Sequence, residues 1–351
     1  MIGAALLGWL TGCGPDEPPL LMPAEGAPTH DQASLLDDAR SAYTRGLGVP
    51  GSMSAAVPGP APVELWLMDE LADRAAVATP FEESHRRAAL QHGGYVAGIA
   101  NDLACHADQC AISLGARRVL RAPESNTDTW GSTSELTAAL DALVARKHAA
   151  PHTKMVVGLA LAAWGTPSEE AGLLDALGRA RCADILVFAP TGNRRDAESE
   201  DRHMALPARW NDLDASAWPP CSGAHPTSGV WAVGAVDSRG ADLSNAIRGV
   251  RPSLLAHGSR IPWTRSGEPG PPPRTGTSFG APAMAAMAAV LWAHRGTWTS
   301  DRVVGALYRA GHPLDGGADR PTLGPDARQV RACAVYGTWV SAAMACDDTP
   351  R

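Results

Sequence analysis

GTSFGAP, Gly276 to Pro282, places Ser278 between small residues directly ahead of a long Ala-rich apolar segment. The residues leading to it, SGEPGPPPR at 266–274, are too dense in Gly and Pro to form a central strand, so no strand runs straight into this serine. A hydroxyl attacks carbonyls poorly at neutral pH. Chemistry at Ser278 therefore needs a base, a group that orients the base, and donors for an oxyanion, all supplied from elsewhere in the chain.

Working outward, apolar strand-like runs alternate with helical patterns through residues 63–68, 96–104, 111–120, 136–149, 155–161, 173–180, 185–189 and 230–236. That alternation predicts an α/β fold with a doubly wound, mostly parallel sheet covered by helices on both faces. Ser132 with Glu135 and Thr166 with Glu169 have capping-box spacing, and Pro167 falls where a missing N–H costs nothing. Behind the first of these, Leu136, Leu140, Leu143 and Val144 form a core-facing stripe.

Three further side chains are candidates for chemistry. The strand at 63–68 ends in Asp69, and the carboxyl ends of parallel strands are where ligands and catalytic groups gather, although a strand-end aspartate also serves as a cap. His92 opens HGGYVAGIA, a small-residue helical run able to lie close against a sheet. DILVFAP at 184–190 runs into Thr191-Gly192-Asn193, where the asparagine is either turn chemistry or a side-chain donor to an oxyanion.

In the order Asp69, His92, Asn193, Ser278, the chain resembles the subtilases, the subtilisin-like serine peptidases. GTSFGAP is similar to their GTSxxxP motif, HGGYVAG at 92–98 to their HGTHVAG, and VELWLMD at 63–69 to the strand ending in their aspartate. VWAVGAVDSRGADLSN at 230–245 is similar to the strand and loop between their asparagine and serine. The resemblance covers roughly residues 60 to 315. It implies that Ser278 attacks the scissile carbonyl, His92 carries the proton, and Asp69 orients the imidazole. Asn193 and the backbone N–H of Ser278 would hold the oxyanion, and the helix at 280–293 would aim the serine. It also implies a substrate-binding strand at Val156–Ala162, with Ala160, Leu161 and Ala162 beside the substrate.

The chain departs from the family pattern in three places. Glu70 and Leu71 follow the aspartate where Ser or Thr and then Gly are usual, Gly94 and Tyr95 replace Thr and His, and alanine stands in the substrate strand where serine is typical. An inactive peptide-binding scaffold of the same fold is the alternative reading. GTSFG also satisfies the GxSxG elbow of α/β-hydrolase lipases and esterases, but that elbow needs a strand immediately before the serine.

The 351 residues suffice for one sizeable α/β domain or two smaller ones, and a net charge of −7 offers no basic face for nucleic acid. The apolar run at 2–10 is too short to span a bilayer and fits a signal h-region, although no Lys or Arg precedes it. It ends at Leu10-Thr11-Gly12-Cys13, which resembles a bacterial lipobox, so Cys13 would carry a lipid and anchor an exported, monomeric protein to the membrane, with plain secretion as the alternative.

The expected organisation is a signal at 1–12, a Pro/Ala/Gly-rich tether at 13–60 with one short polar helical candidate near 34–45, a peptidase domain at 61–330, and a disulfide-closed extension at 331–351. With Cys13 lipidated, six of the seven cysteines remain. Sequence-local pairing predicts Cys105 with Cys110, Cys182 with Cys221, and Cys333 with Cys346, one choice among several. No paired CxxC spacing supports zinc. Calcium is common in the family, but no DxDxDG-type loop occurs here, so no cofactor is required by the sequence and the expected partner is a protein or peptide substrate.

Overall fold

The computed structural model describes residues 30–49, 61–88, 92–106, 109–120, 132–162, 166–194, 204–222, 225–247, 252–263, 271–314 and 326–341. The signal-like run, Cys13, and Cys346 lie outside the described residues. Helix α1 (His30–Leu47) precedes β1 (Val63–Asp69), β2 (Arg74–Val77), α2 (Glu83–Ala88) and α3 (His92–Ala104). Next come a short antiparallel pair, β3 (Cys105–His106) and β4 (Gln109–Cys110), and then β5 (Ser113–Arg118). Alternation follows: α4 (Thr133–Ala149), β6 (Lys154–Leu159), α5 (Pro167–Cys182), β7 (Ile185–Pro190), β8 (Trp231–Val236) and β9 (Leu254–His257). The chain closes with α6 (Gly280–His294), α7 (Ser300–Ala310), β10 (His312–Pro313), β11 (Arg328–Gln329) and α8 (Ala332–Trp339).

Among the described residues, the main sheet has nine strands in the order β10-β11-β9-β8-β7-β6-β1-β5-β2, parallel throughout except at its two edge strands. Successive strand residues serve opposite layers. Leu65, Leu67, Val156, Leu186 and Phe188 pack with residues of α3 and α6, while Trp66, Met68, Val157, Leu159 and Val187 pack with Leu136, Leu140 and Leu143 of α4 and Leu173 of α5. Both faces are therefore dry, which is why the strands read as continuous apolar runs. Each such side chain contributes about 1.5–3 kcal/mol on burial, so the strand ends are rigidly held. Helix α6 is buried along residues 280–293 with no polar face, as befits a helix running through a core.

Both cap predictions match. Ser132 Oγ accepts from the Glu135 N–H at 3.1 Å while the Glu135 carboxylate accepts from the Ser132 N–H at 3.1 Å. The Glu169 carboxylate accepts from the Thr166 N–H at 2.8 Å.

The expected tether and extension turn out to be partly core. In α1, Ala39, Tyr43 and Leu47 recur every four residues and are buried, and the Tyr43 hydroxyl donates to Asp102 at 2.7 Å. The stripe escaped the sequence reading because Pro/Ala/Gly-rich stretches flank it. At the other end, Ala332, Val335 and Tyr336 of α8 are buried, and the Tyr336 hydroxyl donates to the Leu103 carbonyl at 2.9 Å. Disulfides join Cys105 to Cys110 and Cys182 to Cys221, and Cys333 is disulfide-bonded as well.

Candidate active site

The chain adds β5 on one side of β1 and β6 on the other, so the strand order reverses at β1 and opens a crevice at its carboxyl end. Asp69, the last residue of β1, lies there with no solvent exposure. Its Oδ1 accepts the Glu70 N–H at 2.6 Å, and its Oδ2 lies 2.7 Å from His92 Nδ1. His92 is the first residue of α3, and its Nε2 lies 2.8 Å from Ser278 Oγ. The Phe279 ring stacks on the imidazole at 4.9 Å between centroids, which fixes the ring plane from the serine side. Asp69, His92 and Ser278, chosen from separate stretches of sequence, thus form one continuous hydrogen-bonded chain.

Ser278 sits in a single 3-10 turn, Thr277–Phe279, that continues into α6, and among the described residues no strand leads into it. The geometry required by a nucleophile elbow is absent. The Ser278 backbone N–H lies at the start of a long helix, where the helix dipole favours negative charge.

Asn193 follows β7 and reaches the same turn. Its Oδ1 accepts from the Thr277 N–H at 3.0 Å and from the Thr277 hydroxyl at 3.1 Å, which fixes the amide orientation and leaves Nδ2 to donate. Gly192 makes this bend feasible: its φ is +102°, and a Cβ there would meet Ala205 and Ile247 side-chain carbons at 2.8 Å. Ala160 and Leu161 continue from the carboxyl end of β6 and are buried, Ala162 is half-buried, and the Ala160 N–H donates to the Met68 carbonyl at 3.1 Å.

The departures from the expected motif have structural counterparts. Gly94 packs against Trp263 so closely that a Cβ would lie 2.1 Å from the ring, so the threonine usual in this motif would not fit beside that tryptophan. The Tyr95 hydroxyl donates to the Pro272 carbonyl, tying α3 to the segment that leads into the serine turn. Burial pushes the Tyr95 phenol up to about 12, so it stays neutral. Glu70 is buried, and its Oε2 accepts from the His92 N–H at 3.1 Å and the Gly93 N–H at 3.5 Å. Burial, reinforced by the neighbouring charge of Asp69, pushes its carboxyl up to about 7.

Sequence reasoning missed Thr277 as the clamp on Asn193, Phe279 as the support for His92, and Glu70 as a cap on α3. The first two stand inside the quoted serine motif and were legible in principle. The third spans 22 residues and has no local signal. Among the described residues, no group of three or more His, Cys, Asp or Glu side chains could hold a metal ion, and no helix is long and apolar enough to cross a membrane.

A family model described as the subtilase family matches residues 69–327. No curated protein matches the chain. Among solved structures, the prenylagaramide maturation protease PagA is 16% identical with a TM-score of 0.53, over 84% of this chain and 99% of that one. A structure of the subtilase cytotoxin SubAB assembly is 16% identical with a TM-score of 0.56, over 85% of this chain and 95% of that one. At that identity the likeness concerns the fold.

Proposed function

The chain belongs to the subtilase family, and from that premise we propose that it is a serine endopeptidase that hydrolyses peptide bonds through Ser278, His92 and Asp69. The observation that carries the reading is the run of contacts from Asp69 Oδ2 to His92 at 2.7 Å and from His92 to Ser278 Oγ at 2.8 Å. Both distances are within reach of direct proton transfer.

With its proton on Nδ1 held by Asp69, the imidazole offers a lone pair at Nε2. Ser278 Oγ adds to the scissile carbonyl carbon as its proton passes to Nε2, and the imidazolium so formed faces the Asp69 carboxylate. The carbonyl oxygen becomes an oxyanion between Asn193 Nδ2 and the Ser278 N–H. Donors preset for that charge lower the barrier because they need no reorganisation. Collapse breaks the C–N bond, and the amine leaves with the proton from Nε2. Water then gives a proton to Nε2 as its oxygen adds to the acyl carbon; the C–Oγ bond breaks, Ser278 Oγ takes the proton back from Nε2, and the acid leaves. We place the substrate backbone beside Ala160, Leu161 and Ala162. The Ala160 N–H is already taken by Met68, so donors to the substrate come from Leu161 and Ala162.

The same proposal includes export, lipidation at Cys13 and a monomeric state. Mass analysis of the mature N-terminus tests the anchor: an unmodified Cys13 in the purified cell-envelope protein rules it out. A fluorophosphonate probe tests the chemistry, with Ser278→Ala as control and casein and a short-chain ester as substrates. Ser278-dependent labelling with casein cleavage is the expected result. Absence of both overturns the peptidase reading in favour of an inactive peptide-binding scaffold, and ester turnover alone points to an esterase.

A further inference from the structure

We propose that Glu70 is a positioning residue for His92, holding the backbone start of α3 while Asp69 holds the imidazole, so that the charge on Glu70 tunes the basicity of that imidazole. The catalytic consequence rests on the peptidase reading above. The contact itself does not.

Consecutive residues at the end of β1 grip one histidine from two sides. Asp69 takes the ring at 2.7 Å, and Glu70 takes the His92 N–H at 3.1 Å and the Gly93 N–H at 3.5 Å. Helix α3 has no acidic residue in its own first turn, so the negative charge that a helix N-terminus favours comes from another element. The positive end of α3 opposes formation of an imidazolium on its first residue. An ionised Glu70 offsets that field, and a protonated Glu70 does not.

The carboxyl is poised to change state in the range where histidine works, because burial and Asp69 push it up to about 7. The charges acting on it are Asp69 from β1 and His92 from α3. On α2, the Arg86 guanidinium is engaged by the carbonyls of Gly94 and Trp263 and by the Glu83 carboxylate, and Tyr95 on α3 is neutral. A charged His92 favours the ionised form of Glu70, so by reciprocity an ionised Glu70 favours the charged form of His92.

The test compares Glu70→Gln, which keeps an acceptor oxygen without the charge, with Glu70→Ala, which removes both. Imidazole nitrogen shifts of His92 are followed by NMR against pH in the full chain, alongside the pH dependence of fluorophosphonate labelling. The wild type is expected to show two coupled steps at His92. Glu70→Gln should show one, with the midpoint lowered by about one pH unit and the acid limb of labelling moved with it. Glu70→Ala should label about tenfold more slowly at the plateau, with partial rescue in Glu70→Gln. An unchanged His92 midpoint in Glu70→Gln overturns the proposal. If that variant fails to fold, the wild-type titration decides, and a single step refutes the coupling. Absence of wild-type labelling sinks the peptidase reading instead, and the NMR result still judges Glu70.

Discussion

Replacing Asp69 by Asn probes the hydrogen-bonded chain at the point where its direction is set. Asp69 accepts twice, from the Glu70 N–H through Oδ1 at 2.6 Å and from His92 through Oδ2 at 2.7 Å. An asparagine has one acceptor oxygen, and the fixed backbone N–H of Glu70 claims it. The amide NH2 then faces His92 Nδ1 and can only donate, so the imidazole proton must move to Nε2. There it points at Ser278 Oγ, 2.8 Å away, and the base is lost without any displacement of the ring. For a Ser-His-Asp triad the known cost of this change is about 10⁴-fold in kcat, or about 5.5 kcal/mol at ~1.4 kcal/mol per factor of ten. The near-isosteric swap keeps the fold, and KM should change by less than about threefold, since no substrate contact is removed. Peptide hydrolysis kinetics at pH 8 give the rate, and imidazole nitrogen shifts give the tautomer. A variant that keeps more than about a tenth of wild-type kcat, or that keeps its His92 proton on Nδ1, would falsify this account.

Further perturbations address other links. Asn193→Ala removes the proposed side-chain oxyanion donor and should lower kcat by about 10²- to 10³-fold, the magnitude known for such a donor in a subtilisin; an effect on KM alone would show that Asn193 acts only on binding. His257 is fully buried, and burial holds its ring down to about 4. Because the unfolded ring takes a proton near pH 6.5, stability should be complete above that pH and decline by on the order of 3 kcal/mol as pH falls towards about 4. Urea unfolding across that range should flatten in His257→Gln, and an unaltered slope would exonerate the residue. The Cys182–Cys221 bridge closes a separation of 39 residues and Cys105–Cys110 one of 5. Chain-entropy reasoning assigns them about 4 and about 2 kcal/mol, so paired Cys→Ser variants should rank in that order by urea midpoint, and a reversed ranking would count against the loop-length argument.

Much of the architecture could be read locally. The Ser132 cap, the Leu136, Leu140, Leu143 stripe and the strand at 63–68 each declare themselves within a few residues, because helix and strand periods act over that span. The buried stripe of α1 was missed for the converse reason. Ala39, Tyr43 and Leu47 share one stripe of a helix that is apolar and polar by turns, and that stripe says nothing until β9 and α3 are present to cover it. In the same way, the run after residue 330 reads as an appendage, and only Tyr336 reaching the Leu103 carbonyl reveals it as core.

By itself the sequence determined the candidate nucleophile, its partners in chain order, and an α/β fold that ends a strand at Asp69. The order of residue types in motifs survives without knowledge of contacts. Tertiary structure alone decided that His92 stands between Asp69 and Ser278, that Thr277 turns the Asn193 amide, and that Glu70 closes on the first turn of α3. Those relations depend on distances between segments 22 to 186 residues apart. Such distances are set by the packing of α3 and α6 on one face of the sheet, a collective property that no local run of residues encodes.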